Sequence, residues 1–309
     1  MDAFEGRAVL VTGASGFLGS HLTRSLLAAG ARVHAVSRIA RESDLPGLRW
    51  RQCEMEDSEA VRALLAETKP EVIYHLGGMV NGAPEMRLVL PTFSSLLCST
   101  VNLLTAATEQ GCRRVVLVGS LEEPGGNPLE VSPTSPYGAA KLGVVAYGRM
   151  FHHLFGTPVV ILRPYMTYGP GQPDWKVIPS VIGALLRGEV AELSSGTRRL
   201  DWIYIDDVTD GFLRSGYAPL LEGTTLEIGS GSTASIREIA QLIARLLDSR
   251  AELRFGALPD RPSPAGRAAD TAEAQARLGW EPRVSLEEGL RRTVAWYRER
   301  MIINKKGGS

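Results

Sequence analysis

Val9-Leu-Val-Thr-Gly-Ala-Ser-Gly-Phe-Leu-Gly19 sets glycines at 13, 16 and 19 between an apolar run and an amphipathic segment. Each glycine has its own task in such a turn. Gly13 permits the tight bend, Gly16 lets the backbone approach a pyrophosphate, and Gly19 lets helix and strand pack closely. The phosphates then rest on the positive end of the helix. Glycines also serve ordinary turns, so the reading leans on the strand before and the helix after.

Outward from this turn the alternation continues. Arg7–Thr12 reads as a buried strand, Gly16–Ala29 as a helix stopped at Gly30, and Arg32–Val36 as a second strand. Leu48–Cys53, Val72–Leu76, Val115–Val118 and Pro158–Leu162 extend the strand series, with helical spacing in Ser58–Glu67, Thr92–Gln110 and Ser135–Phe155. Strand–helix alternation implies parallel pairing through right-handed crossovers, hence an α/β fold with a Rossmann-like doubly wound parallel sheet. Beyond Tyr168 the punctuation by Gly169, Pro170, Gly171 and Pro173 is dense. Helical patterns at Val177–Arg187, Ile236–Leu247 and Leu286–Arg300, with short strands at Trp202–Ile205 and Thr225–Ile228, predict a smaller, partly discontinuous C-terminal substrate lobe. The expected division is residues 1–168 with a return near 200–230, then 169–303, then a polar tail at 304–309.

Composition sets the outer bounds. The chain has 309 residues, 44% hydrophobic and 22% charged, which excludes a disordered or collagenous protein. Thirty-four basic residues cancel 34 acidic ones, leaving no electrostatic footprint for nucleic acid or an anionic membrane. Met1–Gly6 lacks the basic-then-apolar pattern of a signal peptide, and a cytoplasmic protein is expected. Cys53, Cys98 and Cys112 are too scattered for a disulfide scaffold or a zinc site, and His152 and His153 have no partner at metal spacing, so no metal is expected.

The end of the second strand chooses the cofactor. NAD sites commonly place a carboxylate there for the ribose 2′-hydroxyl, whereas NADP sites place an Arg for the 2′-phosphate. Here Ser37 and Arg38 close the strand, Arg41 follows, and no acid precedes Glu42. The pattern favours NADP, with NAD as the alternative.

Ser135-Pro-Tyr137-Gly-Ala-Ala-Lys141 starts a helix with Ser135 as N-cap and Pro136 at the first helical position. Tyr137 and Lys141 are four apart and share a face. A phenol titrates near pH 10 in water, and an ammonium one turn away is expected to lower that value toward a general acid–base range.

Together these elements resemble the extended short-chain dehydrogenases/reductases, the nucleotide-sugar epimerases, dehydratases and 4-ketoreductases. The resemblance spans about Arg7 to Arg298 and includes Leu162-Arg-Pro-Tyr-Met-Thr-Tyr-Gly-Pro-Gly171, Asp201-Trp-Ile-Tyr-Ile-Asp-Asp207 and Leu278-Gly-Trp-Glu-Pro282. It implies that Ser120, in Gly119-Ser-Leu-Glu-Glu-Pro-Gly125, is the catalytic hydroxyl beside Tyr137 and Lys141. Glu122 falls where 4,6-dehydratases carry the base for the C5 proton, although Leu121 replaces their small polar or acidic neighbour. Gly-Ser-x-Glu-Glu also looks like the NADPH-dependent 4-ketoreductases. The expected cofactor contacts are Gly13, Ser15, Gly16, Phe17, Leu18, Gly19, Ser37, Arg38, Glu54, Met55, Leu76, Gly77, Gly78, Tyr137, Lys141 and Pro164.

For the substrate, Lys176, Val177 and Ile178 resemble the segment closing over the nucleotide base, and Arg261 resembles a diphosphate ligand. The chain departs from the family pattern at Met166, where Asn is usual, and at Leu200, where Arg is usual; Arg198 or Arg199 is expected to take the diphosphate instead. Asp206 and Asp207 are expected to cap a helix.

The leading expectation is NADPH-dependent reduction of a 4-keto-6-deoxy nucleotide sugar. The alternatives are an epimerase or dehydratase retaining NAD, and a non-catalytic NADP-binding sensor. The resemblance also implies a homodimer built on Thr92–Gln110 and Ser135–Phe155, with Leu96, Leu97, Leu103 and Leu104 on one helix and Val144, Val145 and Met150 on the other as available apolar positions.

Overall fold

A computed structural model describes residues 2–123, 132–260 and 266–307. The first stretch runs β1 (Ala8–Thr12), α1 (Phe17–Ala28), β2 (Arg32–Ser37), β3 (Leu48–Gln52), α2 (Ser58–Thr68) and β4 (Val72–His75). Next come α3 (Val89–Thr92), a π-helical turn at Phe93–Cys98, α4 (Ser99–Gln110), β5 (Arg114–Val118), α5 (Pro136–Phe155) and β6 (Val159–Pro164). The second half contains β7 (Met166–Tyr168), α6 (Val177–Arg187), β8 (Ala191–Leu193), β9 (Arg199–Leu200), β10 (Trp202–Tyr204), α7 (Ile205–Tyr217) and β11 (Thr225–Ile228). It ends with β12 (Ala234–Ser235), α8 (Ile236–Leu247), β13 (Leu253–Phe255), α9 (Ala272–Leu278) and α10 (Leu286–Gly307).

Two compact units result. The first comprises Met1–Pro164, Thr209–Ile228 and Ala272–Trp280, the second Tyr165–Val208, Gly229–Thr271 and Glu281–Ser309. In the first unit the sheet order is β11-β6-β5-β4-β1-β2-β3 and every pairing is parallel. Strand order reverses between β1 and β4, so their C-terminal ends form the crevice where doubly wound sheets bind ligands. β1 and β4 are buried at every position, the pattern of strands covered on both faces.

One large apolar cluster joins Leu10, Ile73, Val115 and Leu117 of the sheet to Val61 and Leu65 of α2, Leu103 and Leu104 of α4, and Val144, Val145 and Phe151 of α5. The segment Met86–Gln110 is long and apolar enough, by length and composition, to cross a membrane. Its inner face is part of this core, which accounts for its composition. The same packing corrects the expected dimer surface. Leu96, Leu103, Leu104, Val144 and Val145 are buried within the chain, and Leu97 and Met150 pack against the cluster. The exposed apolar side chains of these helices are instead Met86, Val89, Leu90, Phe93, Tyr147, Leu154 and Phe155.

In the second unit α6, α8 and α10 pack together beside three two-stranded sheets, β10–β7, β12–β9 and β13–β8. Ser235 and Glu238 form a reciprocal capping box at the start of α8. Asp201 is buried and clasps two loops, accepting the N–H groups of Ser230 (2.7 Å), Gly231 (3.0 Å) and Ala269 (2.9 Å). Asp206 and Asp207 lie in the first turn of α7, and the buried Asp207 carboxylate also accepts the N–H groups of Arg283 and Val284, at 3.1 and 3.0 Å. Residues 304–307, expected as a tail, continue α10.

A buried polar relay locks β1, β4 and α4 around the crevice. Thr100 Oγ1 donates to Leu96 O (2.6 Å), so it accepts from His75 Nε2 at 3.1 Å. That leaves His75 Nδ1 to accept from Thr12 Oγ1 (2.8 Å), which in turn accepts the Gly77 N–H (3.0 Å). Burial, aided by the Lys141 charge, pulls the His75 pKa down to about 3. The unfolded chain takes up this proton near pH 6.5 while the folded chain resists until about 3, so stability present above pH 6.5 is lost as the pH falls. The loss between those values is on the order of 5 kcal/mol. Denaturant unfolding from pH 7 to 4 is expected to show it, and His75→Asn to flatten the slope.

Candidate active site

The glycine turn is shaped by what surrounds it. Gly13 has φ +66°, and a Cβ there would lie 2.8 Å from Leu76 O and from Gly77 N. A Cβ on Gly19 would lie 2.1 Å from Gly13 O. Gly16 is the N-cap of α1 and, having no side chain, supplies no cap to the N–H groups of the first helical turn. Its own N–H donates to Gly13 O at 2.9 Å. Ser15 and Gly16 are exposed and Phe17 and Leu18 half-buried. This open, positive helix end beside a cradle that a Cβ would fill fits a dinucleotide pyrophosphate.

At the end of β2, Ser37 Oγ accepts from the Ile39 N–H (3.2 Å) and from Arg41 Nε (3.3 Å). The Arg41 guanidinium lies 5.4 Å from the Trp50 ring centroid, and Arg38 is exposed. Among the other expected cofactor contacts, Glu54 is exposed, while Met55 turns its side chain into the core. Asn102 Nδ2 holds that loop by donating to Met55 O (3.1 Å) and Glu56 O (2.9 Å). Gly77 and Gly78 follow β4, and Pro164 is half-buried at the end of β6.

Ser120, Tyr137 and Lys141 come together as expected. Ser135 Oγ caps α5 by accepting the Gly138 N–H (3.0 Å), with Pro136 at its first position. That start sets Tyr137 and Lys141 on the inward face, where Tyr137 hydrogen-bonds Ser120. Lys141 Nζ donates to Val118 O (2.8 Å), the last carbonyl of β5.

The electrostatics correct one expectation. Burial, with lesser contributions from Glu122 and Glu123, pushes the Tyr137 pKa up to about 12. Lys141 does not lower it, because its ammonium is turned to Val118 O and sits 5.8 Å from the phenol ring centroid. Burial also brings Lys141 down to about 8, with Glu123 opposing that shift. Glu122 accepts from Ser135 Oγ (3.3 Å), and a Cβ on Gly82 would lie 2.8 Å from its Oε1. This carboxylate therefore borders the Ser120–Tyr137 pair, against a stretch of bare backbone.

In the second unit, Lys176 is the N-cap of α6, Val177 is half-buried and Ile178 is a core residue. Arg199 pairs with Glu238 (3.0 Å) at the surface and donates to Thr233 O (2.6 Å). Arg198 is half-buried, and Arg261 lies outside the described residues. Leu200 is buried on β9, and Met166 opens β7.

A family model described as the NAD dependent epimerase/dehydratase family matches residues 9–229. The chain belongs to that family. It is an enzyme of the extended short-chain dehydrogenase/reductase type, NAD(P)-dependent. It is 32% identical over 316 residues to the UDP-glucose 4-epimerase of Mycolicibacterium smegmatis, covering 94% of this chain and 98% of that one. Its fold matches the Thermotoga maritima UDP-glucose 4-epimerase, crystallised with UDP-glucose, with a TM-score of 0.87 at 25% identity, covering 95% and 99% of the two chains. A Bacillus cereus UDP-glucuronic acid 4-epimerase, in complex with UDP-glucuronic acid and NAD, matches with a TM-score of 0.84 at 25% identity, covering 94% and 99%.

For this member of the epimerase/dehydratase family, Glu123, Arg163, His75, Gly82 and Trp50 are site neighbours that sequence reasoning did not single out. The one available signal was Gly119, whose missing Cβ leaves room for the Glu123 carboxylate. The cradle itself gives a test. Gly13→Ala combines a positive φ with backbone 2.8 Å away, whereas a Cβ on Gly16 meets only Gly13 O at 3.2 Å. Gly13→Ala is expected to cost about 1–3 kcal/mol of stability, whereas Gly16→Ala is expected to leave stability nearly unchanged and to weaken dinucleotide binding by obstructing the pyrophosphate. Thermal melts and fluorescence titration with NAD(P) measure both.

Proposed function

We propose that this chain exchanges hydride at C4 of a nucleotide-activated hexose and acts as a 4-epimerase. The observation supporting this is the buried Ser120–Tyr137–Lys141 group on a chain resembling UDP-glucose 4-epimerases nearly end to end. NAD(P), when bound, supplies the hydride acceptor and donor. Ser120 Oγ hydrogen-bonds the substrate O4, and Tyr137 Oη takes the O4 proton during oxidation and returns it on reduction. With Tyr137 held near 12, the phenol is the resting form, suited to giving its proton to a 4-keto oxygen. Lys141, mostly protonated at neutral pH, is placed to hydrogen-bond the nicotinamide ribose, and the Ser120 hydrogen bond favours the tyrosinate when Tyr137 is the base. Lys176 to Ile178 and Arg261 are the proposed nucleotide and diphosphate contacts. Leu200 and Met166 leave the diphosphate with fewer direct ligands than the family pattern supplies.

A second reading, the NADPH-dependent 4-ketoreductase, is favoured by one observation. The end of β2 carries Ser37, Arg38 and an Arg41 stacked by Trp50, with no carboxylate, a surface that suits a 2′-phosphate. We further propose a homodimer in which Met86, Leu90 and Phe93 with Tyr147 and Leu154 meet their copies.

Mass spectrometry of the extracted cofactor, with UDP-glucose incubated in the absence of added dinucleotide, separates the readings. Retained NAD and conversion to UDP-galactose support the epimerase. An empty site with NADPH consumed against a 4-keto-6-deoxy nucleotide sugar supports the reductase. In either case Tyr137→Phe is expected to lower turnover about 10²–10⁴-fold while dinucleotide binding persists.

A further inference from the structure

We propose that Glu123 is a positioning residue of the catalytic group, its buried carboxylate fixing the backbone of Ser120 and setting the charge around Tyr137 and Lys141. The proposal rests on the hydride-transfer reading of that group. Glu123 Oε1 accepts the Ser120 N–H at 2.5 Å, while the Glu123 N–H donates to Ser120 O at 3.2 Å. The Glu122 N–H donates to Ser120 Oγ at 3.1 Å. The turn is thus closed on itself, and the catalytic hydroxyl cannot shift without breaking one of these bonds.

The other carboxylate oxygen, Oε2, accepts from Arg163 Nε (3.1 Å) and also from Nη2, and Arg163 Nη1 reaches Glu227 on β11 at 3.1 Å. Gly119 explains its own presence. Its φ is not positive, yet a Cβ there would lie 2.6 Å from Glu123 Oε1. The residue is glycine because the carboxylate occupies the space a side chain needs.

Stability is a weak reason for such a cluster, since well-packed apolar residues replace buried ion pairs at little or no cost in many proteins. Two carboxylates against one guanidinium leave a net negative charge, and Tyr137 and Lys141 both feel it. The charged groups acting on this pair are Glu122 and Glu123 on one turn, with neutral His75 of β4 near Lys141, while Arg163 of β6 and Glu227 of β11 lie behind Glu123. Negative charge disfavours tyrosinate and favours the lysine ammonium. Removing it lowers both titrations.

Glu123→Gln tests this, because the amide oxygen still accepts the Ser120 N–H while the charge is gone. Tyrosinate formation, followed by ultraviolet absorbance after rapid alkaline pH jumps with Tyr137→Phe as the blank, needs no substrate. The Tyr137 midpoint is expected to fall by about one unit. Dinucleotide binding stays near its starting value, the melting temperature falls because Arg163 loses a buried counter-ion, and the alkaline limb of turnover moves the same way. An unchanged midpoint in a folded Glu123→Gln protein overturns the proposal. Should that variant not fold, Glu123→Asp draws the carboxylate back from the Ser120 N–H and is expected to shift the midpoint by less; no change in midpoint or turnover there also overturns it. A shifted midpoint without turnover on any nucleotide sugar would sink the functional reading and leave the role of Glu123 standing.

Discussion

The backbone of Gly13 lies directly against Leu76 and Gly77, with no side chain between them, and the site is organised around that approach. It joins the ends of two strands that are neighbours in the sheet but far apart in sequence. The approach brings the Gly77 N–H to Thr12 Oγ1 and so engages the relay through His75 to Thr100. It also leaves the first turn of α1 open for an anion. A methyl group at residue 13 would disturb the strand pairing, the relay and the cradle together.

A second constraint works through exclusion of water. The acid–base group is built from side chains that burial penalises, and burial acts oppositely on its members. It raises the phenol and lowers the ammonium, so Tyr137 and Lys141 are brought to neutral pH with the tyrosine protonated and the lysine within reach of its own titration. Helix α5 delivers both from one face, and the Ser135 cap fixes where that face begins.

Much of this was legible in the order of residues. The glycine turn, the strand series and the Tyr137–Lys141 spacing each carry a local signature, and the parallel sheet follows from them, whereas the place of Ser120 beside Tyr137 came from the family resemblance alone. Strands of two or three residues, such as β8, β9 and β12, have no room to show a period and escaped notice. Helical spacing also cannot tell a core face from a subunit surface, which is why Leu103 and Val144 read as available when both are buried. The upward shift of Tyr137 was hidden for a related reason. The sequence places a lysine one turn away, but the direction in which Lys141 points is set by the Val118 carbonyl, a tertiary contact.

Gly119 and Glu123 share one volume, and this ties their histories together. A β-carbon gained at 119 would have to push the Glu123 carboxylate off the Ser120 N–H, and Arg163 would then lean on Glu227 as its counter-ion. Changes at the two positions are therefore expected to be coupled.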